Sequence, residues 1–212
     1  MTGLNVRMGV LLSGSGRTLQ NFIDLGKEGL LKARVVKVVS SRRDAFGLER
    51  ARQNGIPAAI VRRRDFATTE EFSNAVTAEL HAEDVALVAM AGFLSLYRVP
   101  ECYAGRVMNV HPALLPSFGG EGFYGDKVHQ AVLDYGCKVS GCTVHFADNS
   151  YDHGPIIVQK AVPVEETDDV HALAARVFEK EKEAYPEAIN LFAEGRLVIR
   201  GRRVEIRPAQ EG

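Results

Sequence analysis

The chain has 212 residues, 46% of them apolar and 25% charged, which suits one globular domain with a full hydrophobic core. Its 26 basic residues against 27 acidic ones leave a formal net charge of -1, so nothing calls for nucleic acid or a membrane surface as a partner. Cys102, Cys137 and Cys142 form no Cys-x-x-Cys pair, which argues against a disulfide framework and fits a reducing cytoplasm. Met1 to Met8 has neither the apolar core nor the small-residue cleavage site of a signal segment, and no run of about 18 apolar residues suggests a membrane span.

In chain order, Val6 to Leu12 is predicted to be a buried strand, followed by a glycine turn and a helix over Thr18 to Leu25. Val35 to Ser40 is β-branched and strand-like. Phe46 to Asn54 is predicted to be helical and to stop at Gly55 in a left-handed cap. Ala58 to Val61 is a third strand. Thr69 is expected to cap a helix that carries Glu70 and Glu71 in its first turn, where acids face the positive end of the dipole. Ala86 to Met90 and Val107 to Val110 complete five strands alternating with helices, the pattern of parallel pairing.

The pattern then changes. Val139 to Phe146 and Ile156 to Val162 flank a polar turn and are expected to form an antiparallel hairpin or a pair of edge strands. An amphipathic helix is predicted from Asp168 to Ala193, and a terminal hairpin from Arg196 to Arg207 turning near Gly201. The expected fold is therefore α/β: a mostly parallel, Rossmann-like sheet with helices on both faces and antiparallel strands toward the C-terminal end. No linker rich in Pro, Gly or Ser interrupts it, so a single domain over 1–212 is expected.

Two segments carry candidate chemistry. The first is Leu12-Ser13-Gly14-Ser15-Gly16-Arg17-Thr18, between the first strand and the first helix. Its glycines let backbone N–H groups approach an anion at the positive end of a helix, and Arg17 can add a charge-assisted bond. It lacks the spacing of a dinucleotide fingerprint and the ending of a nucleotide P-loop, so it suits a single phosphate, or no ligand at all. The second is Asn109-Val110-His111-Pro112-Ala113-Leu114-Leu115-Pro116 at a strand end. Strand periodicity puts Asn109 and His111 on one side, where an amide and an imidazole can serve a developing oxyanion or move a proton. A carboxylate beside His111 would orient the ring, and Asp152 in the turn from Asp148 to Pro155 is the candidate. His145 reads as a packed residue supporting this group from a strand. His81, His129 and His171 lie on helix faces with no claim, Cys142 is buried in a strand, and no histidine spacing matches a closed metal site. The clusters Arg62 to Arg64 and Arg200 to Arg203 read as solvated faces.

Taken together, the loop from Ser13 to Gln20, Asp44 to Ala51, Ala91-Gly92-Phe93, Asn109 to Pro116, Gly141 to Phe146, Asp152-His153-Gly154-Pro155, Glu181 and Tyr185-Pro186 resemble the folate-dependent formyltransferases, and among them the phosphoribosylglycinamide formyltransferases. The resemblance covers nearly the whole chain, and the Asn-x-His-Pro-x-Leu-Leu-Pro motif is its most specific part. It implies transfer of a formyl group from 10-formyltetrahydrofolate, as co-substrate, to the amine of glycinamide ribonucleotide in de novo purine biosynthesis. It further implies a cytoplasmic monomer or homodimer working on small molecules without metal, nucleic acid or membrane. It places Asn109, His111 and Asp152 at the reacting centre and Gly16, Arg17 and Thr18 at the substrate phosphate. Glu181 falls at the ribose hydroxyls. The folate pocket falls to Leu94, Ser95, Leu96, Tyr97, Asn109 and the turn Asp148, Asn149, Ser150, Tyr151 and Asp152.

The chain departs from this family in places. Arg17-Thr18 stands where Ser-Asn is common, Thr69 and Ser95 stand where arginines are common, and 118–127 is a longer, glycine-rich segment read as a flexible loop. A formyltransferase acting on another sugar-phosphate amine and a formyltetrahydrofolate deformylase remain as alternatives. A non-catalytic nucleotide-binding module is the alternative of a different class, and it gives Asn109, His111 and Asp152 no reason to occur together.

Overall fold

A computed structural model describes residues 6–209, so the first five residues of the Met1 to Met8 reading lie outside the described residues. The chain divides into two compact units, 1–108 and 109–212. In the first, β1 (Val6–Leu12), β2 (Ala33–Ser40), β3 (Ala58–Ile60) and β4 (Leu87–Met90) alternate with helices α1 (Arg17–Lys27), α2 (Phe46–Gln53) and α3 (Thr69–His81). The strand order is β3-β2-β1-β4, and the pairs β1-β2, β1-β4 and β2-β3 are all parallel.

Helices cover both faces of this sheet. A Cβ added at Gly9 would strike Leu80 of α3, whereas Leu12, on the opposite face of β1, packs on Gly47 of α2. Lys37 of β2 reaches α3 as well, at 2.7 Å from Glu79. Between the layers Met8, Val10, Leu11, Leu12, Leu19, Phe22, Phe72, Val76, Leu80, Leu87 and Val88 are almost completely buried. Each such side chain contributes about 1.5–3 kcal/mol of transfer free energy.

β5 (Val107–His111) leads into the second unit, which holds α4 (Asp126–Tyr135), β6 (Val139–Phe146), β7 (Ile156–Pro163), α5 (Val170–Ala193), β8 (Leu197–Arg200) and β9 (Arg203–Ile206). Here the strand order is β5-β6-β7-β9-β8. β6-β7 and β8-β9 are antiparallel, and β7 meets β9 through one parallel pairing, Ile156 with Arg203. Helix α5 buries Leu173, Val177, Ala184, Ala188 and Leu191, the stripe that a helix packed along one face requires. The α/β class, the parallel strands and the late antiparallel ones are those expected.

Several boundaries differ for local reasons. Thr68, not Thr69, caps α3: its hydroxyl accepts from the N–H of Glu71, whose carboxylate answers the N–H of Thr68 in a reciprocal capping box. Asp169 caps α5 through the N–H of Ala172, while Asp168 lies outside the helix and binds Arg176 at 2.6 Å. The glycine-rich loop ends at Gly125, so Asp126 and Lys127 belong to α4.

Candidate active site

In the first unit, the parallel strands β1, β2 and β4 end together, and ligands of open α/β sheets bind beyond such ends. Ser13, almost fully buried, ties three of these ends together: its N–H donates to Gly92 O at 3.0 Å, its hydroxyl meets that of Ser41 at 2.6 Å, and it accepts from Leu94 N at 2.9 Å. The glycine loop is thereby held beside the segment Leu94 to Tyr97. Gly16 precedes α1 with φ 69, and an added Cβ would lie 2.6 Å from Gly47 Cα. Both conditions admit only glycine, so Gly16 is required by packing whatever the loop binds. Gly16 brings no side chain to cap α1, and Arg17 and Thr18 form its first turn at the positive end of the dipole.

The segment expected to line the folate pocket is uneven. Leu94 is 52% exposed, whereas Tyr97 is 2% exposed with its hydroxyl 2.9 Å from Thr77 Oγ1. The Tyr97 side chain therefore belongs to the core, and burial raises its phenol well above the usual range. Ser95 and Leu96 are half-buried.

The second unit brings the expected trio together. Asn109 and His111 alternate along β5, and Asp152 reaches both from the turn between β6 and β7. Asp152 Oδ2 lies 3.3 Å from His111 Nδ1 and accepts from Gly120 N at 3.0 Å. Its Oδ1 accepts from Asn109 Nδ2 at 3.2 Å and lies 3.7 Å from His145 Nε2. Burial alone would raise the Asp152 carboxyl, but the His111 ring nitrogen and the Gly120 N–H outweigh it and hold the group well below the usual carboxylate range. Asp152 is thus a fixed anion.

His111 is 3% exposed, with a carbonyl on its other side: Nε2 lies 2.8 Å from Phe118 O. A carbonyl accepts only, so Nε2 carries hydrogen in that contact, and the Asp152 bond forms as well only when Nδ1 also does. Asn109 is pinned in a similar way. His145 donates from Nδ1 to Phe146 O at 2.8 Å, which leaves Nε2 as an acceptor for Asn109 Nδ2 at 3.2 Å. Both amide hydrogens of Asn109 are engaged, one by Asp152 and one by His145, so offering one to a ligand exchanges an existing bond.

Backbone conformation builds this cluster. Asp152 and Phe118 both adopt φ 52, a left-handed setting that costs a non-glycine residue about 1–3 kcal/mol. Gly154 has no space for a side chain, because a Cβ there would run into the Phe146 carbonyl oxygen. A Cβ on Gly119 would press on Leu115 and Asp152. The segment after His111 is clamped by Thr143, whose hydroxyl donates to Ala113 O at 2.7 Å and accepts from Leu115 N at 3.0 Å, and by Gln159, which donates to Leu115 O at 3.0 Å.

His145 thus belongs to the cluster itself, and its reading as a packed supporting residue understates its contacts. It shares a face of β6 with Thr143, and the β6-β7 register slips between Val144 and His145, a bulge that re-aims the strand at this point. The alternation was visible in the sequence but the bulge was not. The Gly120 N–H and the Phe118 carbonyl carried no side-chain signal at all.

The remaining expected residues lie around these. Asp148 accepts from Ser150 N and binds His153 Nδ1, both at 2.8 Å, and Tyr151 is 41% exposed. Asn149 lies in the same turn. Glu181 is half-buried on α5, where its charge, after burial, helps push the Cys142 thiol up to about 12. His129 on α4 is buried, which lowers its imidazole pKa. Among the described residues no group of three or more His, Cys, Asp or Glu side chains forms a metal site, and no helix is long and apolar enough to cross a membrane.

Comparison with known proteins gives this geometry a context. Residues 6–189 match the family model described as formyl transferase. The chain is 35% identical over 196 residues to phosphoribosylglycinamide formyltransferase of Haemophilus influenzae, covering 92% of this chain and 90% of that one. It is 38% identical over 196 residues to the trifunctional purine biosynthetic protein adenosine-3 of Gallus gallus, covering 92% of this chain but 19% of that protein. The chain therefore spans a fifth or less of the trifunctional relatives it matches. Among solved structures, glycinamide ribonucleotide transformylase 1 from Symbiobacterium toebii superposes with a TM-score of 0.90 at 45% identity, covering 98% of this chain and 96% of that one.

Proposed function

The chain belongs to the formyl transferase family, and from that premise we propose that it transfers the formyl group of 10-formyltetrahydrofolate to the amine of glycinamide ribonucleotide, a step of purine biosynthesis. The observation that carries this reading is the cluster in which Asp152 holds Asn109 and His111 at 3.2 and 3.3 Å. When bound, the folate supplies the formyl carbon that the substrate amine attacks. The donor set fits that chemistry, since an amide and an imidazole sit side by side with N–H groups to offer an oxygen that becomes negative.

Asn109 gives up one of its two internal bonds to donate to the formyl oxygen, and His111 turns its Nε2–H from the Phe118 carbonyl toward the same charge. A donor of this kind is worth about 3 kcal/mol of barrier. Asp152, an anion beside Nδ1, orients the imidazole so that Nε2–H donates and can pass a proton to the departing nitrogen. Gly16, Arg17 and Thr18 hold the substrate phosphate at the start of α1, and Glu181 accepts from the ribose hydroxyls. Leu94 to Tyr97 and Asp148 to Asp152 line the folate, with Tyr97 contributing backbone alone. The reading extends to a cytoplasmic enzyme working on small molecules as a monomer or homodimer, and light scattering on the purified chain tests the assembly.

The deciding experiment follows the absorbance of 10-formyl-5,8-dideazafolate with and without glycinamide ribonucleotide. Loss of the formyl group only when the ribonucleotide is present supports the transfer. Loss without it identifies a hydrolase, and no loss in either case rejects both.

A further inference from the structure

Arg202 is more than the solvated charge that the cluster Arg200 to Arg203 suggests along the chain. It sits in the turn between β8 and β9, beside Gly201 at φ 61. Two other arginines of this hairpin region pair locally, Arg200 with Glu205 at 2.8 Å and Arg196 with Glu194 at 2.9 Å. Among the described residues Arg202 makes no ion pair, and its one hydrogen bond runs from Nη1 to His153 Nε2, 2.9 Å away in the turn between β6 and β7. An arginine only donates, so His153 Nε2 accepts and the ring hydrogen is on Nδ1. Nδ1 then donates to Asp148 Oδ2 at 2.8 Å, and Asp148 Oδ1 accepts from Ser150 N at 2.8 Å. Three side chains thus run in series from the C-terminal hairpin to the start of the turn that carries Asp152.

The backbone leaves His153 little freedom. On one side Asp152 is held by His111, Asn109 and Gly120, and on the other Gly154 lies against the Phe146 carbonyl. The imidazole fastens to Asp148, five residues back, and closes the turn at its base. That closure takes away freedom from 149–151 that a ligand would otherwise have to freeze on binding. Arg202 decides which ring nitrogen is left to donate, and its neighbour Arg203 ties the hairpin to β7 by pairing with Ile156. We propose that Arg202 and His153 are positioning residues for the folate, through which the C-terminal hairpin braces the Asp148 to Tyr151 part of the turn. Asp152 has anchors of its own, so the brace serves folate affinity rather than the chemical step. This rests on the proposed formyl transfer for the assignment of the turn to the folate.

The test is calorimetric titration of 10-formyl-5,8-dideazafolate into the full chain and into Arg202→Ala, His153→Ala and the double variant, with kcat and KM measured on each. His153→Ala leaves the charge of Arg202 in place, so it separates the brace from a direct effect of that charge. Each single variant is expected to weaken binding and raise the folate KM by about 5-fold, the scale of one partly solvated hydrogen bond. Both should leave kcat within about 2-fold and the melting temperature unchanged. Once His153 is Ala, Arg202→Ala should cost nothing further, to within about 2-fold, because it acts through that ring. Unchanged affinity in either single variant, losses that multiply in the double variant, a fall in kcat with KM constant, or no binding by the unmodified chain overturns the proposal. Binding that follows the expected pattern without ribonucleotide-dependent turnover rejects formyl transfer and keeps the brace. Ribonucleotide-dependent turnover that no variant alters does the reverse.

Discussion

Asp152 Oδ2 stands 3.3 Å from His111 Nδ1, and the Gly120 N–H donates to the same oxygen at 3.0 Å. One carboxylate thus orients the imidazole at the end of β5 and pins the glycine loop that passes over it. Because Oδ1 also accepts from Asn109, every member of the candidate trio meets at this one side chain.

Replacing His111 by Ala, or Asp152 by Ala, is expected to lower kcat by at least about 100-fold, the scale of losing one preorganised donor or the group that orients it. Circular dichroism should show an unchanged fold. Near-normal turnover in either purified variant would remove that residue from the reacting centre.

His145→Ala deprives Asn109 of an acceptor that holds its amide. A lost neutral hydrogen bond is worth about 1 kcal/mol, so a fall of about 5-fold to 10-fold in kcat is expected, with KM little changed. His145→Gln, which restores an acceptor, should recover part of it. A change confined to KM would argue against this positioning role.

Glycine substitutions separate folding from chemistry. Gly154→Ala drives a Cβ into the rigid Phe146 carbonyl and should cost about 1–3 kcal/mol or more in urea unfolding. Gly119→Ala meets the flexible end of Leu115 and the Asp152 side chain, so its stability loss should be smaller. It should still reduce turnover, because Gly120 then shifts away from Asp152.

The Asp152 carboxyl has a folded pKa below its unfolded value, so the stability it lends is complete above the unfolded pKa, about 3.9, and is lost as pH falls toward the folded value. The melting temperature of Asp152→Asn should therefore trail the unmodified chain most at pH 7 and least near pH 3. A gap that widens on acidification would reverse the sign of this linkage.

Thr68→Ala removes the side chain that accepts from Glu71 N in the capping box of α3. About 1 kcal/mol of stability should be lost, read from the urea midpoint, with kcat unchanged. Lost activity at unchanged stability would mean that this helix start serves the site directly.

Local patterning made most elements legible. The alternation of β-branched runs with amphipathic stretches specifies parallel strands and helices before any contact is known, and Gly55 and Gly201 end or turn their segments with φ of 65 and 61. Helix α4 escaped because it starts after Gly125, at φ 53 and ψ -137, with no side-chain cap to signal its start. Thr68 and Thr69 are chemically alike, and only the bond to Glu71 decides between them.

The α/β class, the glycine loop and the pair at the end of β5 could be read along the chain, because short-range periodicity and turn chemistry depend on near neighbours. The tertiary structure alone decided that Asp152 meets His111 and that a bulge aims His145 at Asn109. It also decided that Tyr97 turns into the core and that Arg202 of the last hairpin meets His153. Such meetings depend on loop paths and strand register, which chain neighbours do not encode.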